Sequence, residues 1–130
     1  MENDTIKYDL LLSKGFRRIE NHSSQFFGDY FYIYSNGGIS IRIVSSQSLI
    51  TVDVASNLDL NSWFDLALII ALIQNEQDLT KVITVNQFNV FLEKYLFKIC
   101  DFFNSQNFNT TIKKIELLEK KRVKQMFPNM

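Results

Sequence analysis

The side chains of this chain that could take part in catalysis are few and lie far apart in the sequence. One histidine, His22, lies in a polar stretch, and one cysteine, Cys100, lies in a helical pattern. An imidazole beside a thiol can act as the base of a nucleophile. Free cysteine is, however, usually a buried core residue, and we interpret Cys100 in this way. Neither residue belongs to a cluster with the spacing of metal ligands.

A second candidate for chemistry is a pair of carboxylates, Asp29 and Asp53, which lie in two predicted strands. They could act as general acid and base if the fold brought them together in a cleft. Asp53 can also form an ordinary charge pair with Arg42 on the neighbouring strand, and we prefer that interpretation. No Lys followed by Ser or Thr comes after Gly37-Gly38, so these glycines indicate a turn rather than a phosphate loop. The sequence predicts no catalytic residue, no cofactor and no metal site.

The strands that would position these residues lie between residues 26 and 55, as two consecutive hairpins. Asn36-Gly37-Gly38 is a turn signal between two β-rich runs. A two-residue loop leaves Ile33 opposite Ser40, whereas a three-residue loop pairs Ile33 with Ile41. A shift of one residue exchanges the two faces of a strand. We choose the three-residue loop, because it gives one apolar face and one polar face.

This register predicts which side chains share a face of the sheet. The inner face would carry Phe31, Ile33, Ile39, Ile41, Ile43, Ile50, Val52 and Val54, with Ile41 paired to Val52. The outer face would carry Tyr30, Tyr32, Tyr34, Arg42, Thr51 and Asp53. Tyrosine and arginine are enriched at binding hot spots, so we predict a partner-binding set of Tyr30, Tyr32, Tyr34, Arg42 and Asp53. Alternatively, the tyrosines are present because aromatic residues favour strands, or because a helix covers this face.

Helices are predicted both before and after these strands in the sequence. A capping box of Thr84 and Gln87 opens a long helix, and Ser62 with Asp65 is a weaker box before an earlier one. That earlier segment is apolar on nearly every side, so we expect it to be buried. The predicted fold is α+β: a four-stranded antiparallel β-meander over about 16–20, 27–35, 39–45 and 49–55, a short helix over about 5–14 before it, and helices over about 63–75, 85–103 and 110–126 after it.

Composition predicts one globular domain over residues 1–130. The chain is 46% hydrophobic, and 14 basic residues balance 14 acidic residues, so no bulk charge favours nucleic acid or a membrane. The longest apolar run, 66–73, is too short to span a bilayer. The N-terminus is acidic and polar, and a single cysteine suits a reducing compartment, so we expect a cytoplasmic protein.

One local charge bias lies in the last predicted helix. Its basic residues are Lys113, Lys114, Lys120, Lys121, Arg122 and Lys124, with only Glu116 and Glu119 between them. Such a patch could contact nucleic acid. A solvated helix face with cations near its C-terminal end is the commoner arrangement, and we prefer it.

Four short motifs of this chain carry a resemblance to other proteins. They are Phe27-Gly28-Asp29-Tyr30, Arg42-Ile43-Val44, Val52-Asp53 and Trp63-Phe64-Asp65-Leu66. The shared pattern covers nearly the whole chain from residue 15 onward. The chain therefore resembles a group of small bacterial proteins that includes proteins similar to immunity proteins of polymorphic or contact-delivered toxins. Where that group has an Asp-Arg turn, this chain has Ser46-Gln47-Ser48, which implies a different specificity if the turn contacts a partner.

The residues and the resemblance together predict a cytoplasmic, non-catalytic binding protein. We expect an immunity protein that neutralises a cognate bacterial toxin by occluding it, a task that requires no active site of its own. Two alternatives stay open. One is a small enzyme that uses carboxylates in a cleft, and the other is a regulatory module that binds nucleic acid through the basic last helix.

Overall fold

The computed structural model describes residues 5–23, 29–47 and 49–129, without the side chains of 22 and 23. It has the predicted α+β fold. One antiparallel sheet has its strands in chain order: β1 Arg17–Ser23, β2 Tyr30–Ser35, β3 Ile39–Ser46, β4 Leu49–Ser56 and β5 Phe64–Asp65. The helices are α1 Tyr8–Ser13, α2 Leu66–Gln74, α3 Val85–Phe102 and α4 Phe108–Met126.

The predicted four-stranded meander is confirmed, and the sheet has one strand more than predicted. β5 is a two-residue strand that pairs with the middle of β4, where the sequence predicted the first turn of a helix. β1 continues through residues 21–23, beyond the predicted end of that strand at about residue 20. The predicted start of the second strand, at 27 and 28, lies outside the described residues.

The register of β2 against β3 differs from the predicted one. Tyr34 is opposite Ile41 and Ile33 is opposite Arg42, one residue further along than a three-residue loop would place them. Asn36 is the physical reason, because its side-chain oxygen accepts hydrogen bonds from the N–H groups of Gly38 and Ile39, both at 2.9 Å. These bonds, with one at 3.2 Å from Asn36 N–H to Ile39 O, close a tight turn over residues 36–39, whose last residue is the first of β3.

The register of β3 against β4 is also wrong in detail, but it preserves the predicted faces. Ile41 pairs with Val54 rather than Val52, a shift of two residues. Since side chains alternate with a period of two, a shift of two leaves each side chain on the same face. The turn itself has Gln47 at a positive φ of 51°, and the Asp29 carboxylate accepts a hydrogen bond from its N–H at 2.9 Å.

Because the β2–β3 register is shifted by one residue, the two faces of β2 are exchanged relative to the prediction. The inner face, which packs on the helices, carries the tyrosines of β2 together with Ile41, Ile43, Val52 and Val54. The outer face carries Phe31, Ile33, Arg42 and Asp53. The prediction that Phe31 and Ile33 belong to the inner face is therefore wrong, as is the prediction that the tyrosines of β2 lie outside.

α2 is the buried helix that its apolar sequence predicted. It packs against β4, α3 and α4, and Leu66, Leu68 and Ile69 have almost no exposed surface. Its N-cap is Asp65, whose carboxylate accepts a hydrogen bond from Ala67 N at 2.9 Å, and not Ser62. The difference arises because residues 64 and 65 pair with β4 before the helix begins. The predicted capping box at the start of α3 is present.

The hydrophobic core is one cluster that joins the inner sheet face to all four helices. A buried polar side chain, Asn89 of α3, ties the N-terminal segment to this cluster. It accepts a hydrogen bond from Lys7 N at 2.7 Å and donates one to Thr5 O at 3.0 Å. Within the described ranges, no helix is long and apolar enough to cross a membrane. A single domain over residues 1–130 stays a prediction.

A charge placed in α2 should prevent folding. Leu68 is 1% exposed, so Leu68→Asp would bury an unpaired carboxylate and cost about 4 kcal/mol or more. The same change at Leu117 of α4, which is 62% exposed, is the control and should alter stability by only about 0.5 kcal/mol. Urea unfolding of both variants measures the difference, and similar midpoints would show that α2 is not central to the core.

The observed register predicts that Tyr34 is a core residue. Its side chain is 1% exposed, stacks on Tyr8 at 5.4 Å between ring centroids, and its hydroxyl accepts hydrogen bonds from Arg18 at 2.7 and 2.9 Å. Tyr34→Ala should therefore lower the free energy of unfolding by about 3–5 kcal/mol. Phe97→Ala, at an aromatic ring that is 77% exposed, should cost far less. Equal losses in thermal melts of the two variants would contradict this register.

Candidate interaction surface on the outer sheet face

Arg42 lies at the centre of the outer sheet face. It belongs to the middle strand, β3, between Ile33 of β2 and Asp53 of β4. Its Nη2 donates a hydrogen bond to Asp53 Oδ2 at 3.0 Å, and the two side chains are 33% and 22% exposed. The sequence predicted this charge pair, and in the structure the two residues are directly opposite each other.

Trp63 covers the guanidinium of Arg42. This residue precedes β5, and its ring centroid is 4.5 Å from Arg42 Cζ, a cation–π contact. The Nε of Arg42 is buried and has no hydrogen-bond partner among the described residues. A guanidinium has five N–H donors, and the described contacts use one of them in a hydrogen bond. The side chain is thus held in place by Asp53 and Trp63.

Apolar side chains surround this arginine. An open groove of about 670 Å³ runs over the outer face, with Arg42 and Trp63 in its lining. The rest of the lining is mainly apolar and comprises Ile19, Phe31, Ile33, Val44 and Leu60, with Glu20 and Ser40. Ile19 and Leu60 are exposed. An apolar surface with a fixed arginine and a tryptophan at its centre has the composition of a protein-binding hot spot.

A second ion pair borders this surface at the edge of the sheet. Asp65 is directly opposite Asp53 across β4 and β5, and Arg122 of α4 donates a hydrogen bond to Asp65 Oδ2 at 2.8 Å. Burial raises the pKa of the Asp53 carboxyl above its usual value; the hydrogen bond and charge of Arg42 lower it, and the charge of Asp65 raises it further. Although the two carboxylates are neighbours, each has its own arginine: Asp53 pairs with Arg42, and Asp65 pairs with Arg122.

The predicted partner-binding set is divided by the sheet. Arg42 and Asp53 lie on the outer face, whereas Tyr30, Tyr32 and Tyr34 lie on the inner face. Tyr34 and Tyr32 contact Tyr8 of α1. The prediction of one exposed face that carries all five residues is wrong, because the turn at 36–39 exchanges the two faces of β2.

The other candidates for chemistry are separated as well. The Asp29 carboxylate accepts a hydrogen bond from Gln47 N. In the sheet, Asp53 is in line with Arg42 and Ile33, and Asp29 comes four residues before Ile33, which is about 13 Å along a strand. The backbone of His22 pairs with Phe31, while Cys100 contacts Asn36 at the opposite end of β2. Burial is the main reason that the pKa of the Cys100 thiol is raised, which is opposite to the shift that activates a nucleophile.

This surface includes three residues that the sequence did not predict there: Phe31, Ile33 and Trp63. Phe31 and Ile33 were placed on the inner face by the wrong register, and Trp63 was counted as part of a buried helix. The signal that could have placed Trp63 is the following pair of residues, Phe64-Asp65, which alternates as a strand does. For the α4 cations, the structure shows that Arg122 turns toward the sheet edge and pairs with Asp65.

In the described part of the chain, no three His, Cys, Asp or Glu side chains lie together as a metal site would require. Comparison of the sequence with protein-family models and with curated proteins, and of the fold with solved structures, found no match.

The raised pKa of Asp53 predicts how stability depends on pH. Between that pKa and the usual value of about 3.9, the folded protein binds a proton that the unfolded chain does not. Wild-type stability, relative to Asp53→Asn, should therefore increase as the pH falls through this window. Urea unfolding of both proteins from pH 7 to pH 3 tests the sign. A relative loss of wild-type stability on acidification would mean that the pair with Arg42 outweighs burial.

Proposed function

We propose that this protein is a non-catalytic binding protein that recognises a protein partner through its outer sheet face. The observation that carries the proposal is the arginine held between Asp53 and Trp63 in the middle of an apolar groove. Arginine and tryptophan dominate the energy of many interfaces, because they bury large areas and form directed contacts at once. A partner that seals the groove would also strengthen the contacts of Arg42 by excluding water from them.

The resemblance to immunity proteins specifies the partner further. We propose that the partner is a cognate bacterial toxin, and that this protein acts in the cytoplasm by covering the toxin's active site. Occlusion depends on a rigid surface of suitable shape, and a central strand of a five-stranded sheet is a rigid support for such a surface. Arg42 and Asp53 belong to the motifs that carry this resemblance, and Trp63 begins another of them.

Neither alternative has a comparable observation in its favour. For a carboxylate enzyme, Asp53 and Asp65 are the pair that lie together, but an arginine binds each of them and leaves neither as a free base. For a nucleic-acid module, the basic face of α4 has one cation fewer than predicted, because Arg122 is engaged with Asp65. The protein-binding function is the one that the geometry supports best.

Trp63→Ala should disrupt the complex while the fold stays intact. Loss of the ring removes the contact with Arg42 and part of the groove wall, so the affinity should fall by about 2 kcal/mol or more, which is about thirtyfold in Kd. The binding assay uses the product of the gene beside this one as the candidate toxin, and a growth assay with the two co-expressed measures protection. Phe97→Ala, an exposed aromatic residue of α3, is the matched control and should protect like wild type.

Two results would contradict the proposal at different levels. Full protection by Trp63→Ala, with Phe97→Ala failing, would place the interface on the helical side. A neighbouring gene whose product is not toxic, and does not bind this protein, would exclude the immunity function. Circular dichroism of both variants shows that any loss of binding is not a loss of fold.

A further inference from the structure

A second cavity lies on the helical side of the molecule, away from the outer sheet face. It has a volume of about 330 Å³ and lies between α2, the connection at 75–84, and α3. Its apolar wall includes Ala71, Ile83, Val90 and Phe91. Val90 is 57% exposed, so this wall is open to solvent on one side. Ligand cavities in proteins have volumes of about 300–1,000 Å³, and this cavity is within that range.

The cavity exists because α2 presents small side chains to it. Ala67 and Ala71 both line it, and residues four apart lie on the same face of a helix. Every other non-polar residue of α2 has a large side chain. Two alanines in one stripe leave a gap that the side chains of α3 do not fill. Since core positions usually pack without such gaps, this stripe is a place where a ligand could complete the packing.

Charges are distributed unevenly around this cavity. At the connection, Lys81 pairs with Glu76 at 3.1 Å, and Asp78 accepts hydrogen bonds from the hydroxyl and N–H of Thr80. Their charges are therefore satisfied locally. Lys94 has no ion-pair partner in the described part of the chain, and its ammonium lies 5.4 Å from the ring centroid of Tyr95.

Lys94 lies further along α3 than the end of the cavity that is formed by the connection. It follows Asn86, which lines the connection end of the cavity, by eight positions. At a rise of about 1.5 Å per residue, this corresponds to about 12 Å. The cavity thus has an apolar wall in the middle and an unpaired cation, Lys94, at one end. At the other end lie the Lys81–Glu76 ion pair and the Asp78 carboxylate, which is hydrogen-bonded to Thr80.

We propose that this cavity binds an amphipathic monocarboxylate, a molecule with an apolar chain and a single acidic head group. The chain lies along Ala67, Ala71 and Phe91, and the carboxylate pairs with Lys94. The length of about 12 Å between the two ends favours a chain of medium length. This inference is independent of the protein-binding function, since it concerns the opposite side of the sheet.

Sodium decanoate is the probe, used below its micelle concentration with the full chain. Isothermal titration should show saturable binding of one decanoate per protein, and decyltrimethylammonium should bind more weakly because Lys94 repels its head group. Lys94→Gln should weaken decanoate binding about three- to fivefold, the range of an exposed ion pair. Lys94→Arg keeps the charge and should retain most of the affinity.

A variant that fills the cavity tests the position of the chain. Ala71→Phe should remove saturable binding; if it fails to fold, Ala67→Leu, at a half-buried position of the same stripe, provides the same test. Trp63→Ala, on the outer face, should bind decanoate like wild type. The proposal is overturned if decanoate does not bind, if both filled variants bind it normally, or if Lys94→Gln has no effect.

Discussion

The turn at residues 36–39 sets which face of β2 packs on the helices. Asn36 closes it with two hydrogen bonds from backbone N–H groups, and Gly37 supplies a positive φ of 92° that the turn requires. Because strand side chains alternate, this turn determines that the tyrosines of β2 face α1 and that Ile33 faces away. The composition of both the core and the outer surface follows from that one turn.

The outer face is linked to the helical layer through charges. Arg42 and Asp53 form one ion pair, Asp65 and Arg122 form the next, and the two carboxylates are neighbours across β4 and β5. Asp65 also caps α2. A carboxylate that serves as a strand residue, a helix cap and an ion-pair partner restricts how the sheet edge, α2 and α4 can move relative to one another. The groove above Arg42 is therefore supported by elements that lie beneath and beside it.

The two proposed binding regions differ in physical character. The outer face is broad and open, and it has a fixed arginine and tryptophan at its centre, which suits a large partner with its own apolar side chain. The space between α2 and α3 is smaller and results from two alanines, which suits a small molecule. An open groove can be covered by a protein surface, whereas the space between two helices admits a chain a few atoms wide.

The α+β class, the four long strands, the order of the helices, the buried nature of α2 and the cap at Thr84 could all be predicted from the sequence. These features depend on local hydrogen bonding and on the periodicity of apolar residues, which a sequence displays directly. The sequence did not determine the β2 register, because the period-two pattern of tyrosine and isoleucine is apolar enough to fit either face. The register is fixed by the hydrogen bonds of Asn36 in the turn and by the stacking of Tyr8 on Tyr34, a contact between residues far apart in the chain. The same holds for Trp63, since its position over Arg42 results from a strand two residues long that forms only when β4 is there to pair with it.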